Sequence, residues 1–303
     1  MRSIKFLGTG RCLPDKIITN DDLPARLDTS DAWIRDRTGI GSRRVVDADT
    51  STSDLAAGAI ADACAEAGIE PAQLSGIIVG TCSPDTLLPS TACWTQHKLG
   101  IKGMPAFDVM AGCSSFHYGL EVAAQWVQSG GAEYVALCGA EVFSKILDWN
   151  DRRTCVLFGD GAGAVIVGRG DGQSGIISAR WGSDGTLAPI LGVPAGGTRM
   201  PASQATLDEG AHALRMEGSK VFKHAVRSMS GCLIEAMKDA EIEPEDVDVL
   251  IPHQANIRIM DASRERCGIP ADRVYSVLEG YGNLSAASIP VAICEARRAG
   301  VLE

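Results

Sequence analysis

Residues 69–79 read IEPAQLSGIIV, and residues 242–252 read IEPEDVDVLIP, at an offset of 173 positions. Each segment follows an Ala-rich helical pattern and leads through a polar turn into a short strand rich in β-branched residues. One match of this kind also arises by coincidence, because a helix–turn–strand connection is common. The repeat nevertheless favours an α/β chain built by duplication.

A second pair of segments lies at a similar offset. Residues 107–113 lead from a strand into a helix predicted at 114–129, and residues 274–283 lead from a strand into a helix predicted at 285–299. Since two independent pairs match, we predict two pseudo-symmetric halves with a cleft between them. The halves are residues 1–170 and 171–303.

Apolar periodicity supports this architecture. A longer amphipathic helix is predicted at about 219–240. Runs of β-branched residues predict strands at 77–79, 134–137, 164–167, 176–178 and 249–251. Helices that alternate with short buried strands predict a central, largely parallel sheet covered on its faces. The Gly- and Pro-rich stretch 182–208 is typical of a long loop bordering a site.

Composition excludes several classes of protein. Hydrophobic residues make up 45% and charged residues 22% of the chain, which excludes disordered, collagen-like and coiled-coil proteins. A net charge of −10 argues against nucleic acid or an anionic membrane as the main partner. No apolar run approaches the roughly 20 residues that span a bilayer. We therefore predict an acidic globular protein with no membrane partner.

The 10 cysteines show no C-x-x-C spacing, so zinc ribbons and thioredoxin-type motifs have no support. Residues 1–14 are not followed by the apolar stretch of a signal peptide. We therefore expect a reducing, cytoplasmic compartment and nearly all thiols buried as small hydrophobic groups.

A glycine-rich stretch at residues 158–164, FGDGAGA, invites comparison with a phosphate-binding loop. Such a loop must open a helix, so that its free N–H groups face the anion. Here the glycines lead into the strand predicted at 164–167. A tight turn or close backbone packing is the better interpretation.

Cys113 differs from the other cysteines in its position. It follows a strand and immediately precedes the predicted helix 114–129, where free N–H groups and the helix dipole would lower the pKa of a thiol. Gly112 permits a tight turn that would expose the sulfur. These residues alone leave both a nucleophile and a buried thiol open.

Two polar residues follow the predicted strands of the second half. His253 comes directly after strand 249–251, and Asn283 lies between a strand and a helix. A lone histidine is more often structural, and an asparagine in this position is commonly a helix cap. In a duplicated fold, however, both residues and Cys113 would lie at equivalent strand ends and converge on one cleft.

Three segments carry a resemblance to a known family: AGC at 111–113, PHQAN at 252–256 and GNLSAAS at 282–288. Together with DTSDAWIRDRTGI at 28–40, they make the chain from about residue 4 onward resemble the β-ketoacyl-acyl carrier protein synthase III family of the thiolase superfamily. The resemblance implies a thiolase-like fold of duplicated αβαβα layers.

The resemblance also implies a role for each matching residue. Cys113 would accept the acyl group, and His253 and Asn283 would promote decarboxylation. Leu88 would reach across a homodimer interface into the partner's acyl pocket, which Phe158 also lines. The remaining expected roles are coenzyme A binding by Thr29, Trp33, Arg37, Arg152, Gly218 and Asn256, and carrier-protein docking by Lys223 and Arg258.

The chain departs from the family pattern at three points. Ser115 stands where the family usually has glycine, so the first helical turn is expected to pack differently, and Leu284 replaces a threonine. The family continues beyond the position of Glu303 to a Gly-Gly-Gly segment, where a backbone N–H completes the oxyanion hole. Either the sequence is a shortened one or its activity is impaired, and we expect the former.

The implied activity is a two-stage Claisen condensation that initiates fatty acid biosynthesis. An acyl-CoA would acylate the cysteine, and malonyl-acyl carrier protein would then lose CO2 and attack the acyl group, with no metal or other cofactor. One alternative is an acyltransferase or secondary-metabolism enzyme that uses the same scaffold. Another is a non-catalytic partner subunit, although such subunits normally lack the cysteine.

Overall fold

The computed structural model describes residues 3–302. Within this range the strands are β1 (Ile4–Cys12), β2 (Ile17–Thr19), β3 (Ser42–Arg44), β4 (Gly76–Gly80), β5 (Ala106–Val109), β6 (Val135–Val142), β7 (Asp160–Arg169), β8 (Leu191–Gly192) and β9 (Arg215–Met216). The α-helices are α1 (Asp31–Thr38), α2 (Thr52–Ala67), α3 (Thr91–Lys98), α4 (Ser115–Gln128), α5 (Gln204–Asp208), α6 (Gly218–Ala240), α7 (Ile257–Arg266), α8 (Leu278–Tyr281) and α9 (Ser288–Arg298).

The main sheet has five strands in the order β1-β7-β6-β4-β5. β4 runs parallel to β5 and β6, whereas β7 runs antiparallel to β6 and β1. The prediction of a largely parallel sheet is therefore wrong for half of the strand pairs. β6 is followed by β7 without an intervening α-helix, and a connection that lacks a crossover helix favours antiparallel pairing.

Helices cover both faces of this sheet. Alternate residues of β4 point to opposite faces, so Ile77 packs with α2 while Ile78 packs with α4. Ile60 of α2 and Phe116 of α4 are almost fully buried in the two clusters. Because Phe116 belongs to the first turn of α4, this packing also fixes the start of the helix that follows Cys113.

The second part of the chain contributes helices more than sheet. Predicted helices at 219–240 and 285–299 are confirmed as α6 and as a 3-10 turn followed by α9. Predicted strands at 176–178 and 249–251 are wrong, because only isolated bridges form there, such as the parallel bridge between Leu250 and Val274. The stretch 182–208 carries β8 and α5 within its loops. The division at residue 170 stays a prediction.

Close packing explains the glycine-rich stretch at 158–164. A Cβ added at Gly163 would lie 2.4 Å from the backbone nitrogen of Val291, and one added at Gly159 would lie 2.6 Å from the carbonyl oxygen of Tyr281. Gly163 lies inside β7, so α9 approaches the sheet where no side chain intervenes. The interpretation as close backbone packing is confirmed.

All 10 cysteines lie within the described residues and are free thiols. The expectation that nearly all are buried is wrong, since five are buried, four are half-buried and Cys232 is exposed. Over residues 3–302, no helix has the length and apolar character needed to cross a membrane. In the same range no group of three or more His, Cys, Asp or Glu side chains is arranged to hold a metal ion.

Candidate active site

Cys113 lies in a tight turn between β5 and α4. Gly112 adopts a positive φ of 61°, and Cys113 precedes the first helical residue by two positions. The hydroxyl of Ser115 accepts a hydrogen bond from the Ala111 N–H at 2.9 Å and donates one to the Gly112 carbonyl at 2.6 Å. These bonds close the turn around the cysteine.

The surroundings of the Cys113 sulfur differ from those predicted. Burial raises the pKa of the Cys113 thiol to about 11, the hydroxyl of Ser285 opposes this rise, and the carboxylate of Glu141 adds to it. The prediction that the helix terminus lowers the thiol pKa is therefore wrong on balance. Removing a sulfur from water disfavours the thiolate more than its neighbours stabilise it. A proton acceptor is needed before this cysteine can attack.

His253 is held by one serine. Its Nδ1 lies 2.7 Å from the Ser288 hydroxyl, which also accepts the backbone N–H of Gln254 at 3.3 Å. Since the Gln254 N–H occupies a lone pair of that oxygen, the hydroxyl hydrogen is free to point at Nδ1. Nδ1 then acts as acceptor and Nε2 carries the ring proton, so His253 presents an N–H donor at Nε2.

Burial, with the nearby His117 as a smaller cause, lowers the pKa of His253 to about 4. The ring is therefore neutral at pH 7. In the unfolded chain the pKa of this ring is near its ordinary value of about 6.5. Between about pH 6.5 and 4 the unfolded chain therefore binds a proton at His253 that the folded protein does not bind.

We expect the free energy of unfolding to fall as pH is lowered through this window. Urea titrations of the wild type and His253→Gln at several pH values measure it. His253→Gln should show the shallower dependence, because it lacks this proton-binding difference. Equal pH dependence in the two proteins would contradict a depressed pKa for His253.

Asn283 is fixed by its own backbone and by the residue two positions later. Its N–H donates to the Leu157 carbonyl at 2.9 Å, and its side-chain oxygen accepts the Ser285 N–H at 2.8 Å. It is 6% exposed. The asparagine thus makes the cap-like bond that sequence alone also allowed. Its side-chain NH2 remains available as a donor.

The segment of residues 283–288, which we call the asparagine loop, links the three candidate residues. It begins with Asn283 itself, the Ser285 hydroxyl lies 3.5 Å from the sulfur of Cys113, and the Ser288 hydroxyl contacts His253. Short side chains a few residues apart therefore bring the cysteine, the histidine and the asparagine to one place.

The residues expected to bind coenzyme A form two groups. The guanidinium of Arg152 lies 5.5 Å from the centre of the Trp33 ring and hydrogen-bonds the Asp28 carbonyl. The side-chain amide of Asn256 donates to the Arg37 carbonyl at 3.0 Å, so α1 and α7 meet there.

Two further residues of the expected coenzyme A set lie apart from these contacts. Thr29 precedes α1 and has a buried hydroxyl oxygen without a hydrogen-bond partner. Gly218 is the first residue of α6.

The two residues expected at the acyl pocket differ sharply in burial. Phe158 is 4% exposed, stacks on Phe143 at 4.7 Å and forms a backbone bridge with Asn283. Leu88 is 86% exposed, and its neighbour Leu87 is equally open. Within its own chain, therefore, Leu88 lines no packed wall.

Lys223 and Arg258, expected at a docking surface, are both exposed. The guanidinium of Arg258 lies 5.9 Å from the ring centre of Phe222, which adjoins Lys223 on α6. The two cations therefore belong to one surface, formed where α6 meets α7.

Comparison with known proteins decides the family. The model of 3-oxoacyl-(acyl-carrier-protein) synthase III matches residues 107–185, and the model of its C-terminal part matches residues 237–303. A β-ketoacyl-(acyl-carrier-protein) synthase III of Caldanaerobacter subterraneus subsp. tengcongensis is 50% identical over 298 residues, which is 98% of this chain and 90% of that protein. The chain belongs to the β-ketoacyl-acyl carrier protein synthase III family.

Solved structures agree with this assignment. The 3-oxoacyl-(acyl-carrier-protein) synthase III of Aquifex aeolicus matches with a TM-score of 0.90 and 42% identity, covering 99% of this chain and 92% of that one. The corresponding enzyme of Pseudomonas aeruginosa matches with a TM-score of 0.91 and 37% identity, covering 100% and 91%. The predicted thiolase-like fold is confirmed, and the protein is an acyl-transferring condensing enzyme of fatty acid biosynthesis.

The departures from the synthase III pattern have local consequences. Ser115 fits because its neighbour Gly80 has no side chain. A Cβ added at Gly80 would lie 2.9 Å from the Cβ of Ser115. The side chain of Leu284 is 1% exposed and packs with Leu13 and Tyr281. Both replacements are accommodated by packing.

Three residues of this synthase III site were not predicted from the sequence: Ser285, Ser288 and Glu141. The serines lie within the quoted GNLSAAS segment, but nothing in their spacing indicates which of them contacts which partner. Glu141 carried a usable signal, since it is the one acid in the otherwise apolar strand VALCGAEV at 135–142. A charged residue inside a buried strand is rare unless it has partners.

Proposed function

We propose that this synthase condenses an acyl-CoA primer with malonyl-acyl carrier protein through an acyl-Cys113 intermediate. The observation that carries the proposal is the asparagine loop, whose members contact Cys113 and His253 and include Asn283. A nucleophile and two neutral donors in one place are what a decarboxylative condensation needs.

In the first stage the Cys113 sulfur attacks the thioester carbonyl of acyl-CoA, and coenzyme A leaves. The closed turn at Ala111 and Gly112 supports this role, because a rigid turn keeps the attacking atom in place.

In the second stage the malonyl thioester loses CO2, and negative charge develops on its carbonyl oxygen. His253 Nε2–H and the Asn283 NH2 group would donate to that oxygen. The lowered pKa of His253 supports this, since a neutral ring donates without competing as an acid. The carbanion then attacks the acyl-cysteine to give the β-ketoacyl product.

The experiment for this proposal is release of labelled CO2 from malonyl-acyl carrier protein. We expect release that depends on added acyl-CoA and yields β-ketoacyl-acyl carrier protein. An acyltransferase without decarboxylation would give no CO2, and a non-catalytic subunit would give neither CO2 nor an acyl adduct. Either result would overturn the proposal.

Trp33 and Arg152 support a coenzyme A nucleotide site. A flat adenine can stack on the indole with the guanidinium on its other face, provided that the two side chains, which now contact each other at 5.5 Å, move apart to admit it. The unpartnered hydroxyl of Thr29 lies close by in sequence and would donate to the nucleotide. Arg37, Asn256 and Gly218 would border the path from the nucleotide to Cys113.

We further propose docking of the acidic carrier protein at Lys223 and Arg258. Reversal of both charges, Lys223→Glu with Arg258→Glu, should raise KM for malonyl-acyl carrier protein, and more so at low salt. Self-acylation from acyl-CoA should stay normal, and Arg227→Glu on the same helix is the matched control. Steady-state kinetics measures the effect, and equal loss in both half-reactions would contradict docking at this surface.

We propose a homodimer because the large apolar side chains of Leu87, Leu88 and Met110 are exposed in the single chain. Exposed apolar side chains of this size are typical of a surface that a partner chain covers. Leu88 would then reach the partner's acyl pocket.

Leu88→Phe should shift preference towards shorter acyl-CoA, because the larger ring fills more of the pocket end. Competition between acyl-CoAs of two lengths measures this, with Leu87→Phe as control. An unchanged profile would remove Leu88 from the pocket.

No metal or redox cofactor takes part in the proposed reaction, because the condensation transfers no electrons to or from an acceptor and its charge is stabilised by neutral donors. Acyl-CoA is a substrate. The free thiols throughout the described chain are consistent with a reducing compartment, and we propose the cytoplasm.

A further inference from the structure

A buried carboxylate lies next to the nucleophile, and the mechanism above gives it no task. Glu141 is 0% exposed at the end of β6. It accepts hydrogen bonds from the Ser83 hydroxyl at 2.6 Å, the Cys82 N–H at 3.0 Å and the Thr81 hydroxyl at 3.2 Å. Burial raises the pKa of this carboxyl group, while the Ser83 hydroxyl, the Cys82 N–H and the Ser285 hydroxyl act against the rise. Glu141 is thus a buried carboxyl group whose oxygens face several hydrogen-bond donors, the Ala286 N–H at 3.4 Å among them.

Ser285 stands between Glu141 and Cys113. Its hydroxyl lies 3.5 Å from the Cys113 sulfur, the same hydroxyl lowers the pKa of Glu141, and the N–H of the next residue, Ala286, donates to the Glu141 carboxyl at 3.4 Å. The same hydroxyl lies 3.9 Å from the sulfur of Cys82, the other thiol facing this group. Ser285 is 1% exposed and adopts a φ of +48°, a conformation that costs energy for any residue with a Cβ. Strain maintained beside a reacting atom is typical of a functional position.

Cys113 needs a proton acceptor that His253 does not supply. With a thiol pKa of about 11, only about 10⁻⁴ of the cysteine is ionised at pH 7. His253, with a pKa of about 4, is a poor base at that pH. The Glu141 carboxylate is the remaining acceptor connected to the sulfur, and the connection runs through one hydroxyl.

We propose that Ser285 takes the Cys113 thiol proton and passes its own proton to Glu141 as the acyl-cysteine forms. The proposal rests on the proposed function in which Cys113 accepts the acyl group. Ser285 contacts the reacting sulfur, and Glu141 acts through Ser285.

The step balances in protons and electron pairs. The S–H bond of Cys113 breaks, its proton goes to the Ser285 oxygen, and the Ser285 proton goes to a Glu141 oxygen. The freed sulfur pair forms the bond to the acyl carbon, and the bond from that carbon to the coenzyme A sulfur breaks. The departing thiolate then recovers a proton from Glu141 by the reverse route, so the enzyme returns to its starting charge.

A purely electrostatic role for Glu141 predicts the opposite result. A fixed negative charge beside Cys113 raises the pKa of the thiol. Glu141→Gln would then remove that charge, lower the thiol pKa and speed acylation. In the relay, the same substitution removes the proton acceptor and slows acylation. The direction of the change separates the two roles.

The test is the single-turnover rate of Cys113 acylation by acyl-CoA, followed by mass spectrometry as a function of pH. Ser285→Ala should slow acylation by about 10²-fold, a usual contribution of a general base. Ser285→Gly relieves the strained φ but lacks the hydroxyl, so it should be as slow as Ser285→Ala. Glu141→Gln should be slow and should lose the low-pH limb of the wild-type profile.

Ser144→Ala is the matched control, because the Ser144 hydroxyl donates to another buried carboxylate, Asp160, whose hydrogen-bond donors are Val46 and Ser144 and not residues of the asparagine loop. It should acylate normally. A wild-type rate in Ser285→Ala, or a faster rate in Glu141→Gln, would overturn the relay. If Glu141→Gln does not fold, Ser285→Ala and Ser285→Gly against Ser144→Ala decide alone. Failure of wild-type Cys113 to acylate would overturn the proposed function itself.

Discussion

Cys113→Ala is expected to abolish the acyl-enzyme completely. Among the thiols of residues 3–302, only that of Cys113 combines a tight turn before a helix with a contact to the asparagine loop through Ser285. Intact-protein mass spectrometry after mixing with acyl-CoA should show one adduct on the wild type and none on the variant. Peptide mapping should assign the wild-type adduct to residue 113.

Cys232→Ala serves as the control for this prediction, because Cys232 is the exposed thiol of the described chain and has no place in the mechanism. It should form the adduct at the normal rate. An adduct on Cys82 or Cys155 in the Cys113→Ala protein, accompanied by condensation activity, would contradict the assignment of the nucleophile.

The second large effect concerns His253 and Asn283. His253→Ala and Asn283→Ala should each leave acylation in place and lower the rate of decarboxylation by about 10²–10³-fold, the usual cost of removing one oxyanion donor. Both donors act only once charge develops on the malonyl thioester. Separate assays of acyl-enzyme formation and of CO2 release measure the two stages.

Asn283→Asp sharpens this comparison. The aspartate keeps the side-chain oxygen that accepts the Ser285 N–H, but it removes the NH2 donor. It should therefore acylate as the wild type does and fail in decarboxylation. Loss of acylation before loss of decarboxylation, in the asparagine and histidine variants alike, would contradict the division of labour proposed here.

Local periodicity could predict much of the fold. The helices α4, α6 and α9 carry apolar stripes, β4 and β7 contain runs of buried β-branched residues, and β6 is buried and mostly apolar. Strand direction could not be predicted in this way, because it depends on the connection between β6 and β7 and not on either strand. The residues 176–178 have strand-like composition, yet composition alone supplies no partner strand.

The candidate site shows the same limit. Cys113, His253 and Asn283 could be predicted as site residues because each follows a predicted strand. Their individual roles came from the family resemblance alone. The thiol pKa was predicted in the wrong direction, because the helix terminus is visible in sequence and burial of the sulfur is not. The contacts of Ser285 and Ser288 arise from the geometry of the asparagine loop.

The central claim is that one acyl group passes from Cys113 to the carbanion made at His253 and Asn283. The most direct measurement mixes isolated acyl-enzyme with malonyl-acyl carrier protein in a single turnover and follows the Cys113 adduct, CO2 and product together. We predict that the adduct disappears as CO2 and β-ketoacyl-acyl carrier protein appear in equal amounts. Product formed while the Cys113 adduct persists would contradict the account.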